Sequence, residues 1–264
     1  MQTSGRVTRR TIPNVSGVSL RIAHLYAEEM NIYGDRGNIL TLVKRAQWRG
    51  IEVAVEAIGR GPIAGLDRFD LIFWGGGQDR DQALVFTDAA AHKADAIARA
   101  VADGSVVLAV CGGYQLLGQY YVTADGTRLP GLNLVDLYTV PGRRRNIGNI
   151  VIDAGELGLT PPTLVGFENH SGKTYLGAGL QPLGKVLRGA GNNGEDGGEG
   201  VVIGNVFGTY LHGSLLPKNP QFADLLIGRA IHRREAGPLA QLDDSVEMAA
   251  HDAVAERLGC RLDA

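Results

Sequence analysis

The chain has 264 residues, of which 44% are hydrophobic, and a formal net charge of −2. This length and composition are enough for the buried core of one large α/β domain, alone or with a smaller appendage. The balanced charge excludes the strongly basic surface of a nucleic-acid-binding or membrane-surface protein, and no apolar stretch is long enough to span a bilayer.

The first half of the chain alternates predicted strands with predicted helices. Residues 1–18 are polar and are predicted to form an N-terminal arm or an edge strand. Apolar, β-branched runs then predict strands, and apolar residues at helical spacing predict helices, in the order strand 21–26, helix 39–49, strand 51–58, strand 70–74, helix 89–102 and strand 106–110. This alternation indicates a mostly parallel sheet flanked by helices on both faces.

Two glycine-rich turns follow strands of this predicted sheet. Gly75-Gly76-Gly77 comes directly after strand 70–74, and Cys111-Gly112-Gly113 comes after strand 106–110. Ligands of open α/β sheets bind beyond the carboxyl ends of the strands. Both turns are therefore expected at the ligand-binding edge.

The second half of the chain is richer in predicted strands, at 149–152, 163–167, 201–203 and 206–211. The glycine-rich segment 189–200 is predicted to be a surface loop that is mobile or ordered by a partner. Helices are predicted at 221–234 and 244–258. We interpret residues 19–235 as one α/β domain with added β-strands in its second half, and residues 236–264 as a C-terminal helical tail.

Cys111 ends an apolar strand and precedes a segment, from Tyr114 to Tyr121, with helix-like spacing. This pattern is typical of a sharp strand–turn–helix that holds a nucleophile at its apex. The glycines after the cysteine allow a tight turn and leave room for a substrate, and a helix N-terminus favours the negative charge of a thiolate. We predict that Cys111 is a nucleophile rather than a buried structural cysteine.

His212 ends the last predicted strand and can reach the same edge of the sheet. A thiolate nucleophile needs a nearby imidazole that keeps it ionised and exchanges protons with the reacting groups. Backbone N–H groups must also stabilise the oxyanion that the attack creates. We therefore predict Cys111 and His212 as the catalytic pair, and Gly112 with Gly76 or Gly77 as the oxyanion hole.

Neither a metal site nor a nucleotide site is predicted on this chain. The two cysteines, Cys111 and Cys260, are too few for a disulfide framework or a cysteine-based zinc site. The six histidines lack the spacing of metal ligands, and segments 166–174 and 179–186 match a phosphate-loop pattern only in part. The low cysteine content indicates a reducing, cytoplasmic setting.

Two motifs stand out, CGGYQLLG at 111–118 and GTYLHG at 208–213. They resemble the nucleophile and histidine motifs of class I (triad-type) glutamine amidotransferases of the cobyric-acid-synthase-like branch. A narrower resemblance, to the glutaminase subunits of lipid II isoglutaminyl synthases, is carried by MNIYGDRGN at 30–38, GFENH at 166–170 and LPKN at 216–219. The resemblance implies a flavodoxin-like class I amidotransferase fold.

The same resemblance implies a glutaminase that passes ammonia to a partner. Cys111 would attack the side-chain amide of L-glutamine and form a glutamyl thioester, and His212 would protonate the departing ammonia and then activate water. Gln115 and Arg145 stand where the family places glutamine-binding side chains, and a guanidinium suits the α-carboxylate of the substrate.

The partner implied by the resemblance is a Mur-ligase-like (MurT-type) subunit that forms a heterodimer with this chain. The partner would bind ATP and Mg²⁺ and amidate D-glutamate of lipid II to D-isoglutamine in peptidoglycan synthesis. No cofactor is expected on this chain itself.

One position departs from the broader family. Triad amidotransferases usually carry a glutamate two residues after the histidine, where this chain has Ser214. A serine hydroxyl cannot supply the negative charge that orients and stabilises an imidazolium. We expect either a Cys111–His212 dyad or a carboxylate from elsewhere. Glu168 is the internal candidate, and we favour a carboxylate of the partner subunit, because it would restrain wasteful hydrolysis until the complex forms.

Two alternatives remain open. The chain could be a non-catalytic regulatory module with an inert Cys111, although the presence of Cys111, His212 and Gln115 together argues against this. It could also be an amidotransferase subunit for another acceptor, such as a corrinoid. Labelling with a glutamine-mimicking electrophile separates an enzyme from a regulatory module.

Overall fold

A computed structural model describes residues 17–30, 35–77, 79–212, 215–234 and 237–260 of the chain. Ser214 and nearly all of the expected N-terminal arm, 1–18, lie outside the described residues.

The described residues form twelve strands, which are β1 (Ser19–Leu25), β2 (Glu52–Ile58), β3 (Leu71–Trp74), β4 (Val106–Val110), β5 (Tyr120–Val122), β6 (Arg128–Pro130), β7 (Leu137–Asp153), β8 (Thr163–Leu176), β9 (Gly184–Arg188), β10 (Gly198–Glu199), β11 (Val201–Ile203) and β12 (Val206–Thr209). The α-helices of the same residues are α1 (Arg36–Gln47), α2 (Asp79–His92), α3 (Ala94–Ala102), α4 (Gly112–Leu116), α5 (Leu215–Lys218), α6 (Pro220–His232) and α7 (Ser245–Arg257). Short 3-10 helices span Leu66–Arg68 and Gly155–Leu157. None of the described helices has both the length and the apolar character needed to cross a membrane.

The first sheet has six strands in the order β11-β12-β4-β3-β1-β2. All neighbouring pairs from β12 to β2 are parallel, and β11 is antiparallel at one edge. The central strands β3 and β4 are buried along their whole length, which is typical of a parallel sheet covered on both faces. The predicted mostly parallel sheet is therefore confirmed.

The second sheet has the order β10-β9-β7-β5-β6, with β8 paired to β7. β7 and β8 form a long antiparallel hairpin whose register shifts between Pro141 and Asn146. The sequence analysis predicts only 149–152 and 163–167 as strands here. The rest of β7 mostly alternates between exposed and less exposed positions, and β8 after Phe167 mostly alternates between buried and half-buried positions, so no continuous apolar run marks either segment.

The helix predicted at 89–102 is divided into α2 and α3, and α2 begins ten residues earlier, at Asp79. The division occurs at Lys93, whose side chain is completely buried. Its ammonium donates hydrogen bonds of 2.8 Å to Asp88 Oδ2 and to Gly61 O. A buried ammonium must be paired, and these two hydrogen bonds provide its partners at the break between the helices.

The helix after Cys111 is shorter than predicted. α4 spans only Gly112–Leu116, and the residues from Tyr120 onward belong to β5. A Cβ at Gly118 would overlap Leu137 Cδ1 and would lie 2.5 Å from Leu137 O. The chain therefore leaves the helix where it passes so close to β7 that only glycine fits.

The glycine-rich segment 189–200 is ordered by contacts with its own chain. The buried Asn192 side chain donates a hydrogen bond to Gly200 O at 2.9 Å and accepts one from Gly200 N–H at 2.8 Å. Asn193, also buried, donates to Thr174 O at 3.0 Å. The expectation of a loop that is mobile or ordered by a partner is therefore wrong, because asparagine amides supply the missing hydrogen bonds.

Candidate functional site

Cys111 lies at the sharp turn between β4 and α4. Its backbone has φ 51° and ψ −105°, a conformation that costs a residue with a Cβ about 1–3 kcal/mol. Its N–H donates to Thr209 O at 2.8 Å, and its carbonyl accepts from Gln115 N–H at 2.9 Å. Gly113 packs so closely on β3 that an added Cβ would lie 2.8 Å from Trp74 O. The surrounding elements therefore hold the strained cysteine at the apex of the turn.

His212 follows β12, the strand beside β4 in the parallel sheet. Its N–H donates to Phe167 O at 2.8 Å, and its side chain is completely buried. A Cβ at Gly76 would lie 2.7 Å from His212 Cε1 and 3.3 Å from Cys111 Cβ. The imidazole and the cysteine thus flank the same glycine at the carboxyl edge of the sheet.

The charge of His212 is controlled by its neighbours. Burial by itself lowers the pKa of His212, but the negative charge at Cys111 and the Asp35 carboxylate outweigh burial and raise that pKa to about 10. Beside a thiolate, the imidazolium is therefore the stable form at neutral pH. This pair supplies both a nucleophile and a proton for a leaving group.

Asp35 is a third polar residue of the site, to which the sequence analysis assigns no role. It precedes α1 and is completely buried, and its Oδ1 lies 3.9 Å from His212 Nδ1. Its Oδ2 accepts a hydrogen bond of 2.6 Å from Gly76 N–H. The position of Asp35 in the sequence could have identified it. It lies between the first predicted strand and the helix that follows, and is therefore expected at the same edge of the sheet as Cys111.

Glu168, the internal carboxylate considered for His212, is engaged elsewhere. Both of its carboxylate oxygens accept hydrogen bonds from Ala190 N–H, at 2.9 and 3.1 Å, and Oε2 accepts another from Gly191 N–H at 3.1 Å. These bonds anchor the start of segment 189–200. The imidazole that Glu168 faces is that of His170, whose Nε2 lies 3.9 Å from Oε2, and the role of Glu168 toward His212 stays a prediction.

The glycines predicted to form the oxyanion hole divide into two groups. The Gly76 N–H donates to Asp35 Oδ2 at 2.6 Å, a hydrogen bond that competes with the oxyanion role predicted for Gly76. Gly112 is the first residue of α4, where a helix N–H has no partner within the helix. The carbonyl of Gly77 is held by Gln82 Nε2 at 3.2 Å. The oxyanion roles of Gly77 and Gly112 remain predictions.

A narrow cleft beside Cys111 is lined by both residues predicted to bind glutamine, Gln115 and Arg145. Arg145 is exposed at its mouth, and its Nε donates to Asn169 Oδ1 at 2.6 Å. The cleft volume is about 20 Å³, which is room for about one water molecule.

His170 and Tyr210 form a stacked pair at this cleft that the sequence analysis did not select. Their ring centroids are 3.6 Å apart and their planes differ by 5°. The Tyr210 hydroxyl accepts a hydrogen bond from Gln115 Nε2 at 2.9 Å. Among the described residues, Gln115 Oε1 and His170 Nε2 have no hydrogen-bond partner although both are buried. His170 Nε2 lies 3.9 Å from Glu168 Oε2.

The described residues contain no group of three histidine, cysteine, aspartate or glutamate side chains that could hold a metal ion. Both Cys111 and Cys260 are free thiols. The site geometry therefore offers thiol and imidazole chemistry, and the expectation that the chain binds no cofactor remains a prediction.

A family model described as the CobB/CobQ-like glutamine amidotransferase domain matches residues 21–220. The chain is also similar to solved structures that share the fold at low identity. A glutamine amidotransferase from Thermotoga maritima has a TM-score of 0.51 at 14% identity, with 90% of this chain and 97% of that chain covered. PurLQS from the same organism has a TM-score of 0.50 at 15% identity, with 81% and 96% covered.

Curated relatives match at higher identity. The GatD subunit of lipid II isoglutaminyl synthase (glutamine-hydrolyzing) from Staphylococcus aureus is 44% identical over 81% of this chain and 86% of its own length. The GatD subunit from Streptococcus pneumoniae is 43% identical over 81% and 82%. A probable cobyric acid synthase from Methanothermobacter thermautotrophicus is 33% identical, but only over 53% of this chain and 29% of that protein. The chain therefore belongs to the CobB/CobQ-like glutamine amidotransferase family, and within it to the group of GatD subunits.

Proposed function

We propose that the chain hydrolyses L-glutamine to glutamate and ammonia as the glutaminase subunit of a lipid II isoglutaminyl synthase. The observation that carries the proposal is the strained Cys111 beside the buried imidazole of His212. The two GatD relatives, 44% and 43% identical to this chain, carry the name of that enzyme.

The reaction begins when the Cys111 thiolate attacks the side-chain amide carbon of glutamine, and the carbonyl electron pair moves onto oxygen. As the tetrahedral intermediate collapses, the C–N bond breaks and His212 gives its proton to the departing nitrogen. Ammonia leaves and a glutamyl thioester remains. Neutral His212 then takes a proton from water, whose oxygen attacks the thioester carbon. The C–S bond breaks, which releases glutamate and restores the thiolate–imidazolium pair.

Side chains around the cleft bind and orient the substrate. The Arg145 guanidinium pairs with the α-carboxylate of glutamine through two parallel hydrogen bonds. Gln115, held by Tyr210, binds a second polar group of the amino acid. The N–H groups of Gly77 and Gly112 stabilise the oxyanion.

The ammonia is used by a partner subunit of the Mur-ligase (MurT) type, which forms a heterodimer with this chain in the cytoplasm. The partner binds ATP and Mg²⁺, activates the α-carboxyl group of D-glutamate in lipid II, and produces D-isoglutamine. No cofactor is required on this chain, because a thiolate and an imidazolium supply the hydrolytic chemistry.

The nucleophile is tested with the substitution Cys111→Ala, for which we expect glutaminase activity to fall by at least about 10³-fold. 6-Diazo-5-oxo-L-norleucine should label Cys111 in the chain without substitutions and should not label the Cys111→Ala variant. Mass spectrometry detects the label. Cys260→Ala is the matched control, since Cys260 packs in a separate small cluster with Ala255. Activity retained by Cys111→Ala, or a label on Cys260, would contradict the proposal.

The acceptor is tested by reconstituting the chain with the ligase-type subunit, lipid II, ATP and glutamine labelled with ¹⁵N in its amide. We expect ¹⁵N in the α-amide of the D-glutamate residue. Transfer of ¹⁵N to a corrinoid acid instead would support the alternative acceptor. Absence of glutamine hydrolysis both with and without the partner would support a non-catalytic module.

A further inference from the structure

A buried carboxylate links two parts of the proposed catalytic site. None of the Asp35 side chain is exposed. Its Oδ2 accepts a hydrogen bond from Gly76 N–H at 2.6 Å, and its Oδ1 faces His212 Nδ1 at 3.9 Å. Within the described part of the chain, this Oδ1 has no hydrogen-bond partner although it is buried. A buried carboxylate oxygen is unfavourable without an adjacent cation or donor, and here it faces an imidazole.

Three other ionisable groups near Asp35 and His212 do not provide the carboxylate that faces the imidazole. Glu168 binds backbone N–H groups at the start of segment 189–200. Glu199 accepts hydrogen bonds from the hydroxyl of Thr209 and the N–H of the next residue, at 2.6 and 2.7 Å. His24 of β1 also lies within the field of Asp35, but burial lowers its pKa, so it is neutral at pH 7.

We propose that Asp35 is a positioning residue that orients His212 and stabilises its protonated form, the role for which position 214 lacks a carboxylate. The inference rests on the proposed glutaminase function. Oδ1 of Asp35 provides the negative charge that favours the imidazolium. Oδ2 holds the turn after β3, so one carboxylate sets the position of the imidazole relative to Gly76.

The surrounding chain holds Asp35 rigidly. A Cβ at Gly75 would overlap Met30 O and would lie 2.9 Å from Asp35 Oδ2, so the turn after β3 packs directly on the carboxylate. Three residues further along α1, Asn38 Oδ1 accepts a hydrogen bond from Leu216 N–H at 3.0 Å. The start of α1 is thereby bound to the segment that follows His212, and the distance between carboxylate and imidazole is constrained from both sides.

The direct test measures the titration of His212 by NMR of chain containing ¹³Cε1-labelled histidine. The Cys111→Ala background is used, because it removes the charge at Cys111 and leaves Asp35 as the neighbour that raises the pKa. The six histidines are assigned by comparison with a His212→Asn variant. We expect the pKa of His212 to fall when Asp35→Asn is added, since an amide carries no charge but can still accept the Gly76 N–H.

The matched control is Asp70→Asn. Asp70 is also completely buried and accepts a backbone N–H, that of Arg21, at 2.8 Å, but it precedes β3 at the opposite end of the strand from Gly75. Asp70→Asn should leave the titration of His212 unchanged. Asp35→Ser, which keeps an oxygen acceptor without the charge, replaces Asp35→Asn if that variant does not fold.

The kinetic test uses the complex with the partner and intact Cys111. We expect Asp35→Asn to lower kcat for glutamine hydrolysis by about 10-fold to 100-fold, with KM changed by less than about 3-fold. The alkaline limb of the pH profile should move to lower pH, because His212 must be protonated to release ammonia and its pKa is lower in the variant. Asp70→Asn should keep kcat within about 2-fold of the unmodified complex.

The inference is overturned if His212 titrates identically with and without the Asp35→Asn substitution, or if kcat and the alkaline limb do not change. If the pH profile of kcat responds only to the partner subunit, the carboxylate belongs to the partner, and this result would also overturn the inference. If the unmodified complex does not hydrolyse glutamine, the proposed function fails, whereas the NMR titration still decides whether Asp35 controls His212.

Discussion

Arg145 and Arg144 are neighbours in the chain, but they face different spaces. Both lie in the segment of β7 where the register with β8 shifts. Arg145 lines the cleft that contains Cys111, whereas Arg144 lines a separate, wider cleft between the hairpin and segment 189–200. A bulge re-aims the side chains around it, and here it gives two adjacent arginines separate surroundings. Of these two arginines, Arg145 is therefore the one that lies at the cleft where we propose that glutamine binds.

We expect Arg145→Lys to raise KM for glutamine by about 10-fold or more, with a smaller effect on kcat. A lysine keeps the charge but loses the planar fork that forms two parallel hydrogen bonds with a carboxylate. Steady-state glutaminase kinetics of the complex measure the effect. Arg144→Lys is the control and should behave as the unmodified chain. Equal KM values for both variants would remove Arg145 from the substrate site.

At the scale of elements, the nucleophile turn depends on the contact between α4 and β12. A Cβ at Gly208 would overlap Tyr114 Cδ2 and would lie 2.7 Å from Tyr114 Cε2. The Tyr114 ring is fully buried, and its hydroxyl donates a hydrogen bond to Asn192 Oδ1 at 3.0 Å. The ring therefore cannot move aside easily. Glycine at 208 allows the helix that follows Cys111 to pack against the strand that leads to His212.

Gly208→Ala should lower the free energy of unfolding by about 1–3 kcal/mol, the usual cost of an extra carbon in a tightly packed core. Urea unfolding monitored by circular dichroism measures this change. Gly148→Ala is the strand control, because a Cβ at Gly148 meets no atom within 4 Å. Similar unfolding free energies for the two variants would show that the contact with Tyr114 does not limit packing.

At the scale of the whole molecule, Arg45 joins segments that are distant in sequence. Its side chain is only 1% exposed and lies in α1. It forms two hydrogen bonds of 2.7 Å with Asp224 of α6 and two, of 2.6 and 3.0 Å, with Asp244, the residue that precedes α7. The guanidinium thereby attaches the C-terminal helices to the helix that begins beside Asp35.

We expect Arg45→Met to destabilise the protein by about 3 kcal/mol, because it removes the buried guanidinium from Asp244 and leaves Asp224 paired with Arg49 alone. The exposed pair of Arg68 with Glu56 provides the control, and Arg68→Met should cost less than about 1 kcal/mol. Chemical denaturation of both variants measures the difference. An Arg45→Met protein as stable as Arg68→Met would contradict the role of Arg45 as a link between segments.

Local patterns in the chain were sufficient to predict the parallel sheet, the turn at Cys111 and the approach of His212 to the same edge. Each depends on a short run of residues. Apolar side chains that repeat about every two residues indicate a strand, and those that repeat about every 3.6 residues indicate a helix. Parallel strands then bring their carboxyl ends to one edge whatever their separation in the chain. The full length of the β7–β8 hairpin was not predicted, because much of it lacks a continuous apolar run.

The carboxylate that faces His212 was decided only by the tertiary structure. Glu168 and Asp35 are both acidic residues near predicted elements of the site, and nothing in their spacing distinguishes them. The fold directs Glu168 to the N–H groups of segment 189–200 and Asp35 to Gly76 and His212. The physical reason is that hydrogen bonds and ion pairs act over only a few ångströms. The distances between segments remote in the sequence are fixed only when those segments pack together.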